Sequence, residues 1–185
     1  MQECISIIIP IYNEEKNIAT LYQELTHILQ NNLADYTHEI IFVNDGSKDS
    51  SWQKICDIAN NDKHIKAIKF SRNFGHQMAL TAGYNLAQGD AIITMDADLQ
   101  DPPALLVDLI REWKKGADIV YARRIDRRDT FLKRITASWY YRILDVVSDV
   151  RIPRNVGDFR LISNRVLNEL KKCSEKARYL RGMVA

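Results

Sequence analysis

Short apolar runs alternate along this chain with longer segments in which apolar residues recur every three or four positions. Five runs have the length and continuity of buried strands: residues 5–10, 40–43, 65–70, 91–95 and 119–122. The helical spacing falls between and after them, at residues 13–32, 50–58, 76–87, 103–115 and 131–147. A further strand is predicted at residues 159–162, followed by a helix that ends near residue 172. This alternation predicts an α/β fold, with a mostly parallel sheet and helices on both faces.

Polar residues follow each of the first five predicted strands at the point where the strand ends. In chain order they are Asn13 and Glu14, Asn44 and Asp45, Arg72 and Asn73, Asp96 and Asp98, and Arg123 and Arg124. Because the carboxyl ends of parallel strands meet at one edge of a sheet, we expect these side chains to share the edge where open α/β sheets bind ligands. Hydrogen bonding within a turn is enough to explain Ser47 and Asp49 when each is taken alone. It does not explain why acids follow so many strands.

Asp96 and Asp98 follow the fourth strand directly. Alternate residues of an extended segment point the same way, so the two carboxylates can converge on a hard divalent cation such as Mg²⁺ or Mn²⁺. The alternative is a solvated turn ahead of the next helix. We interpret Asp98 as a metal ligand, Asp96 as facing the metal or a ribose, and Asp45 as a hydrogen-bond acceptor for a base or ribose.

Composition narrows the class of protein. The chain has 185 residues, 46% of them hydrophobic, and a formal net charge of +2. These values fit one globular domain and argue against a general nucleic-acid binder, which has a strong basic excess. The three cysteines, Cys4, Cys56 and Cys173, follow no metal or redox spacing and favour a reducing compartment. Without a signal-peptide pattern or an apolar run of about 18 residues, we expect a soluble, cytosolic chain.

The common phosphate-binding signatures are missing from the sequence. Neither Gly-x-Gly-x-x-Gly nor Gly-x-x-x-x-Gly-Lys-Ser/Thr occurs after a predicted strand. A nucleotide held by carboxylates, a metal ion and arginines therefore fits this chain better than a standard dinucleotide site or P-loop.

Four segments resemble motifs of the family 2 glycosyltransferases of GT-A fold, in the order that family has them. They are residues 9–14 (Ile-Pro-Ile-Tyr-Asn-Glu), 43–47 (Val-Asn-Asp-Gly-Ser), 71–76 (Ser-Arg-Asn-Phe-Gly-His) and 96–103 (Asp-Ala-Asp-Leu-Gln-Asp-Pro-Pro). Residues 157–161 (Gly-Asp-Phe-Arg-Leu) resemble the branch that transfers a sugar to a polyprenyl phosphate, such as bactoprenol glucosyltransferases and dolichol-phosphate mannose synthases. Ala104 departs from the pattern, since many members have Glu there.

The resemblance implies that residues 1–185 form a single GT-A catalytic domain, without the further segment and membrane helices that relatives carry. It implies a UDP- or GDP-linked sugar donor and inversion at the anomeric carbon. It also implies a Mg²⁺ or Mn²⁺ ion on Asp98 and Asp96, with Arg123 helping to stabilise the leaving diphosphate. The residues that the resemblance assigns to the nucleotide-sugar are Pro10, Tyr12, Asn13, Glu14, Asp45, Arg72, Asp96 and Ala97.

The role expected of Asp158 depends on the chemical class of the acceptor. A hydroxyl acceptor needs a general base, and Asp158 is the candidate. A phosphate monoester, with a second pKa of about 6, is already anionic at neutral pH, so Asp158 would then orient the acceptor or neighbouring arginines. The alternative is a strand-end acid paired with Arg160. His76 opens a predicted helix, where capping or packing explains it as well as phosphate binding does.

A basic segment follows the fifth strand and leads into the helix predicted at residues 131–147. We expect Arg124, Arg127, Lys133 and Arg134 to bind the acceptor phosphate. Trp139 and its tyrosine neighbours are typical of membrane interfaces, so this helix is predicted either to lie on an anionic membrane at its cytoplasmic face or to bury its apolar side on the sheet.

Three hypotheses of function follow. The first is an inverting glycosyltransferase that uses a polyprenyl-phosphate (undecaprenyl or dolichyl) acceptor. The second is a glycosyltransferase acting on a saccharide hydroxyl, for which Asp158 is an indispensable base. The third is an inactive fragment that binds a nucleotide-sugar and a metal ion without turnover. The sequence predicts neither the sugar nor the oligomeric state.

Overall fold

The computed structural model describes residues 2–123 and 156–173. The predicted helix at residues 131–147 lies outside them. The elements within the described residues are β1 (Cys4–Ile11), α1 (Ile18–Asn31), β2 (Thr37–Asn44), α2 (Ser51–Asn61), β3 (Ile65–Lys69), α3 (His76–Leu86), β4 (Ala91–Thr94), α4 (Leu105–Lys114), β5 (Ile119–Arg123), β6 (Val156–Ser163) and α5 (Asn164–Lys172). None of these helices is long and apolar enough to cross a membrane.

The strands form one sheet in the order β3-β2-β1-β4-β6-β5. β1 pairs in parallel with β2 and β4, and β2 pairs in parallel with β3. β6 is antiparallel to both of its neighbours, so β5 runs in the same direction as β4. The predicted mostly parallel sheet is confirmed. One edge therefore holds the carboxyl ends of β1 to β5 and the first residues of β6, and we call it the carboxyl edge.

Helices cover both faces of the sheet, as the sequence predicts. Ile7 and Ile9 of β1 pack with α1, α2 and α4, whereas Ile8 packs on the opposite face with α3 and α5. Residues 5–11 of β1 are all buried. A strand buried on both faces has to be apolar at consecutive positions, which explains the unbroken run in the sequence.

α3 lies unusually close to β1. A Cβ atom placed on Gly83 of α3 would lie 2.2 Å from Cγ2 of Ile8, so only glycine allows this approach without a shift of the helix or the strand. Leu80 and Tyr84 complete the contact and are buried. This packing fixes the direction of α3 and sets its first residue, His76, at the carboxyl edge.

Two boundaries differ from the sequence prediction. α1 begins at Ile18 rather than at residue 13, because Asn13 takes a left-handed backbone conformation (φ 58°) and the N–H of Asn17 closes a turn onto the carbonyl of Glu14. β2 begins at Thr37 rather than at residue 40, because Thr37 to Glu39 pair with β1 despite their polar side chains. Backbone pairing, rather than hydrophobicity, extends this strand.

Candidate active site

The loops after β1 and β2 are hydrogen-bonded to each other at the carboxyl edge. The N–H of Asn13 donates to Oγ of Ser47 (3.0 Å), and the N–H of Lys48 donates to Oδ1 of Asn13 (2.8 Å). The N–H of Glu14 donates to Oγ of Ser51 (2.9 Å). The structure therefore gives Ser47 the loop-bonding role predicted for it, and it brings Asn13 and Glu14, which are predicted to bind the nucleotide, to the junction of two loops.

Asp45 links the β2 end to the loop that precedes α3. It is 3% exposed, and its two carboxylate oxygens accept from the N–H of Phe74 (2.7 Å) and the N–H of Gly75 (2.9 Å). The carboxylate thus holds the start of α3 in place. Its contact with a base or ribose stays a prediction, and any such contact adds to these two hydrogen bonds.

Gly46 allows the same two loops to touch backbone to backbone. Its φ is +68°, and a Cβ there would lie 2.3 Å from the carbonyl carbon of Arg72. The guanidinium of Arg72 lies 4.3 Å from the ring centre of Phe74. Phe74 and Tyr12 are both exposed, at 46% and 42%. Pro10 and Ala97, which are also predicted to bind the nucleotide-sugar, are buried.

Asp96 and Asp98 follow β4 at the carboxyl edge. Burial raises the pKa of Asp96; the nearby His76 opposes this shift, and the charges of Asp158 and Asp98 add to it. Asp98 is exposed, and its Oδ1 accepts from the N–H of Gln100 (3.0 Å). The raised pKa therefore reflects the partial burial of Asp96 first and the neighbouring negative charges second.

Asp158 and Asp96 lie just beyond the same end of the antiparallel β4–β6 ladder. The last pair of that ladder is Thr94 with Arg160; Asp96 comes two residues after Thr94, and Asp158 comes two residues before Arg160. Asp158 is 5% exposed, and the hydroxyl of Thr94 donates to its carbonyl oxygen (2.5 Å). The imidazole of His76 lies between the two carboxylates, with Nε2 3.1 Å from Oδ2 of Asp158 and 3.8 Å from Oδ1 of Asp96.

Arg160 lies behind Asp158 in the interior. It is 1% exposed, and its Nη2 is 3.9 Å from Oδ1 of Asp158. Within the described part of the chain, its Nε and Nη2 have no hydrogen-bond partner. The predicted pairing of Asp158 with Arg160 is therefore present, at the long end of ion-pair distances, together with a shorter contact to His76 that the sequence analysis did not foresee.

His76 is the residue that sequence reasoning left outside the site. Sequence analysis leaves it between capping or packing and phosphate binding, and it predicts no contact with Asp158. The available signal was its position, since it follows β3 at the same edge as the predicted acids. Arg123 ends β5 at this edge, and its backbone pairs with Val156. Its side chain, together with Arg124, Arg127, Lys133 and Arg134, lies outside what the structure describes.

The carboxylates at the carboxyl edge suit a metal ion that a substrate also binds. In residues 2–123 and 156–173, no three His, Cys, Asp or Glu side chains are grouped so that they could hold a metal ion by themselves. Mg²⁺ is commonly bound by one or two carboxylates and completes its coordination with water and substrate phosphates. Asp96 and Asp98 supply two carboxylates, and the charge of Asp158 also acts on Asp96. These residues therefore fit a divalent cation that arrives with, or is completed by, a phosphate ligand.

Comparison with known proteins identifies the family. Residues 6–171 match Glycosyl transferase family 2, and the chain belongs to that family. It is 46% identical over 181 residues to the uncharacterized glycosyltransferase YkcC of Bacillus subtilis (strain 168), covering 97% of this chain and 55% of the relative. It is 41% identical over 182 residues to the bactoprenol glucosyl transferase of Shigella phage SfV, covering 98% of this chain and 59% of the relative. The chain spans a little over half the length of these relatives.

Solved structures confirm the predicted GT-A fold. The glucosyl-3-phosphoglycerate synthase of Mycobacterium tuberculosis, in complex with Mn²⁺, UDP and phosphoglyceric acid, superposes with a TM-score of 0.62 at 19% identity, covering 89% of this chain and 57% of that chain. The mannosyltransferase PcManGT of Pyrobaculum calidifontis, in complex with GDP-Man and Mn²⁺, superposes with a TM-score of 0.59 at 16% identity, covering 92% of this chain and 47% of that chain.

Proposed function

We propose that this chain is the catalytic domain of an inverting glycosyltransferase that moves a sugar from a nucleotide-sugar to a polyprenyl phosphate at the cytoplasmic face of a membrane. The observation that carries the proposal is the meeting of Asp96, Asp98 and Asp158 at the carboxyl edge. The 41% identity to a bactoprenol glucosyl transferase over 98% of the chain supports the lipid acceptor.

The loops of the carboxyl edge would bind the nucleotide-sugar donor. Tyr12 and Arg72 present exposed polar and aromatic groups beside the loops that Asp45 holds together. Asp96 and Asp98 would hold Mg²⁺ or Mn²⁺, and complexes of the two solved structures with Mn²⁺ and UDP or GDP-Man support this. When bound, that ion supplies Lewis-acid stabilisation of the charge on the departing diphosphate.

The reaction is a single displacement. An oxygen of the acceptor phosphate forms a bond to the anomeric carbon while the bond from that carbon to the nucleoside diphosphate breaks, which inverts the configuration. Because the acceptor is already anionic at neutral pH, no proton has to be removed from it. Asp158 then orients the acceptor, and the basic residues Arg123, Arg124, Arg127, Lys133 and Arg134 offset the charge of its phosphate.

The test is a transfer assay with purified protein, labelled UDP-glucose or GDP-mannose, Mn²⁺ and undecaprenyl phosphate in detergent. We expect a labelled lipid product that Asp98→Ala abolishes and that Asp57→Ala, which removes an exposed carboxylate from α2, leaves unchanged. Transfer to an added saccharide, with none to the lipid, would instead support the hydroxyl-acceptor hypothesis. Donor binding without transfer to either acceptor would support the binding-only hypothesis.

A further inference from the structure

His76 joins two carboxylates that come from different strands. Its Nε2 is at hydrogen-bond distance from Asp158 on β6 (3.1 Å) and 3.8 Å from Asp96, which follows β4. The side chain of Asp158 is 6% exposed, whereas those of His76 and Asp96 are 39% and 38% exposed. The imidazole therefore contacts the buried acid from the side that faces the candidate metal and donor site.

The backbone of His76 is fixed from both directions along the chain. On one side, the N–H of Gly75 donates to the carboxylate of Asp45 (2.9 Å). On the other side, α3 is held against β1 at Gly83, where there is no space for a side chain. A ring carried on such a constrained segment loses little further entropy when it makes a directed hydrogen bond.

Two cationic or donor side chains approach the buried carboxylate of Asp158 at different distances. The charged neighbour on its inner side, Arg160, approaches only to 3.9 Å, which is beyond hydrogen-bond distance. The 3.1 Å contact from His76 orients the carboxylate of Asp158 from the side of the candidate site. It also places a donor between Asp158 and Asp96, whose negative charges repel each other.

We propose that His76 is a positioning residue, which holds the carboxylate of Asp158 in its working orientation and keeps it apart from Asp96. The consequence for sugar transfer rests on the function proposed above. Groups that orient a ligand or catalytic carboxylate commonly contribute on the order of 10- to 100-fold to activity. We therefore expect loss of the contact to lower kcat in this range, with little change in KM for the donor, because the loops after β1 and β2 hold the nucleoside.

The kinetic test compares His76→Ala with His76→Gln, whose side-chain amide places an N–H near the position of Nε2. His76→Ala should lose on the order of 10- to 100-fold in kcat, and His76→Gln should recover most of it. His76→Ala should cause no additional loss in an Asp158→Asn background, because the two residues act as a unit. His27→Ala, on the exposed side of α1, is the matched control. Equal losses for Ala and Gln, or full additivity with Asp158→Asn, would overturn the proposal.

A spectroscopic test separates this proposal from the proposed function. The chain has 4 histidines, so the imidazole signals of His76 in a ¹H–¹⁵N spectrum are identified by their disappearance in His76→Gln. We expect the Nε2 signal to shift in Asp158→Asn and to stay in place in Glu39→Gln. An unmoved signal in Asp158→Asn would overturn the positioning role. A shifted signal in a protein that transfers no sugar would sustain the contact while rejecting the proposed function.

Discussion

Two clusters of polar side chains, each built around one buried carboxylate (Glu39 or Asp158), lie near opposite ends of the sheet. Near the amino end of β2, Glu39 accepts hydrogen bonds from Oγ of Ser6 (2.6 Å) and the N–H of Gln88 (2.9 Å), and its second oxygen lies 2.5 Å from Nζ of Lys66. At the carboxyl edge, His76 lies between Asp96 and Asp158. Both clusters connect segments distant in sequence, but they differ in charge: the first joins one carboxylate to a lysine, whereas the second brings two carboxylates to one imidazole.

Folding shifts the pKa values of Glu39, in the first cluster, and Asp96, in the second, in opposite directions. Burial raises the pKa of Glu39, but the hydrogen bonds from Lys66, Ser6 and Gln88 outweigh it, and the pKa falls below its ordinary value. At Asp96 burial also raises the pKa, and there the contribution of His76 does not offset it. The lowered pKa shows that the first cluster favours ionised Glu39 and so stabilises the fold, whereas a raised pKa at a strand end is typical of candidate functional sites.

The largest expected effect is on activity, from Asp96→Asn. Removing one carboxylate from the candidate metal site should lower kcat for sugar transfer by about 100-fold or more, as loss of transition-state charge stabilisation does elsewhere. The free energy of unfolding, measured by urea denaturation with EDTA present, should stay the same or rise, because the variant removes a half-buried negative charge whose pKa folding raises. An Asp96→Asn variant that keeps its activity but has a lower free energy of unfolding would contradict both expectations.

Glu39→Ala should have the opposite effects, lowering stability and leaving activity unchanged. It leaves Ser6, Lys66 and the N–H of Gln88 without their acceptor, so we expect a loss of about 1–3 kcal/mol in unfolding free energy. The kcat of the folded protein should be unchanged, because the cluster lies at the far end of the sheet from the candidate site. Urea denaturation and the transfer assay on the same preparation check both statements. A matched loss of kcat would show that the two clusters are coupled.

A smaller effect is expected in the pH dependence of stability. The pKa of Glu39 is lowered by folding, so its contribution is complete above the unfolded value of about 4.3 and is lost as pH falls through the folded value. The pKa of Asp96 is raised, so its ionisation costs stability at neutral pH, and this cost disappears as pH falls. Urea denaturation between neutral pH and pH 3 should therefore show the deficit of Glu39→Ala and the gain of Asp96→Asn both shrinking. A deficit of Glu39→Ala that grows on acidification would contradict the assignment.

Local patterns predicted most of the fold and part of the site. The apolar run of β1 marks a strand buried on both faces, and acids directly after β4 mark the carboxyl edge, because both features depend on neighbouring residues only. The meeting of Asp96 with Asp158 depends on the antiparallel register of β6, which no local pattern encodes. The contact of His76 depends on how closely α3 approaches β1, and that distance is set by Gly83 and Ile8.

Asp45 shows a second limit of sequence reasoning. The sequence predicts Asp45 as a hydrogen-bond acceptor for a base or ribose, and this stays a prediction; the structure adds that both of its oxygens accept from backbone N–H groups of the loop before α3. Those donors lie about 30 residues away and become neighbours only because β2 and β3 are adjacent in the sheet. The residue types at the carboxyl edge were therefore predictable from the sequence, but the hydrogen bonds by which Asp45 holds two loops together were not.

The most direct test of the central claim is calorimetric titration of UDP and GDP with and without Mn²⁺, on the wild-type protein, Asp98→Ala and Glu39→Ala. The account predicts that one nucleotide binds only when the metal is present, that Asp98→Ala abolishes this binding, and that Glu39→Ala retains it. Binding that needs no metal and survives in Asp98→Ala, or absence of binding by the folded wild-type protein, would contradict a nucleotide and metal site at the carboxyl edge.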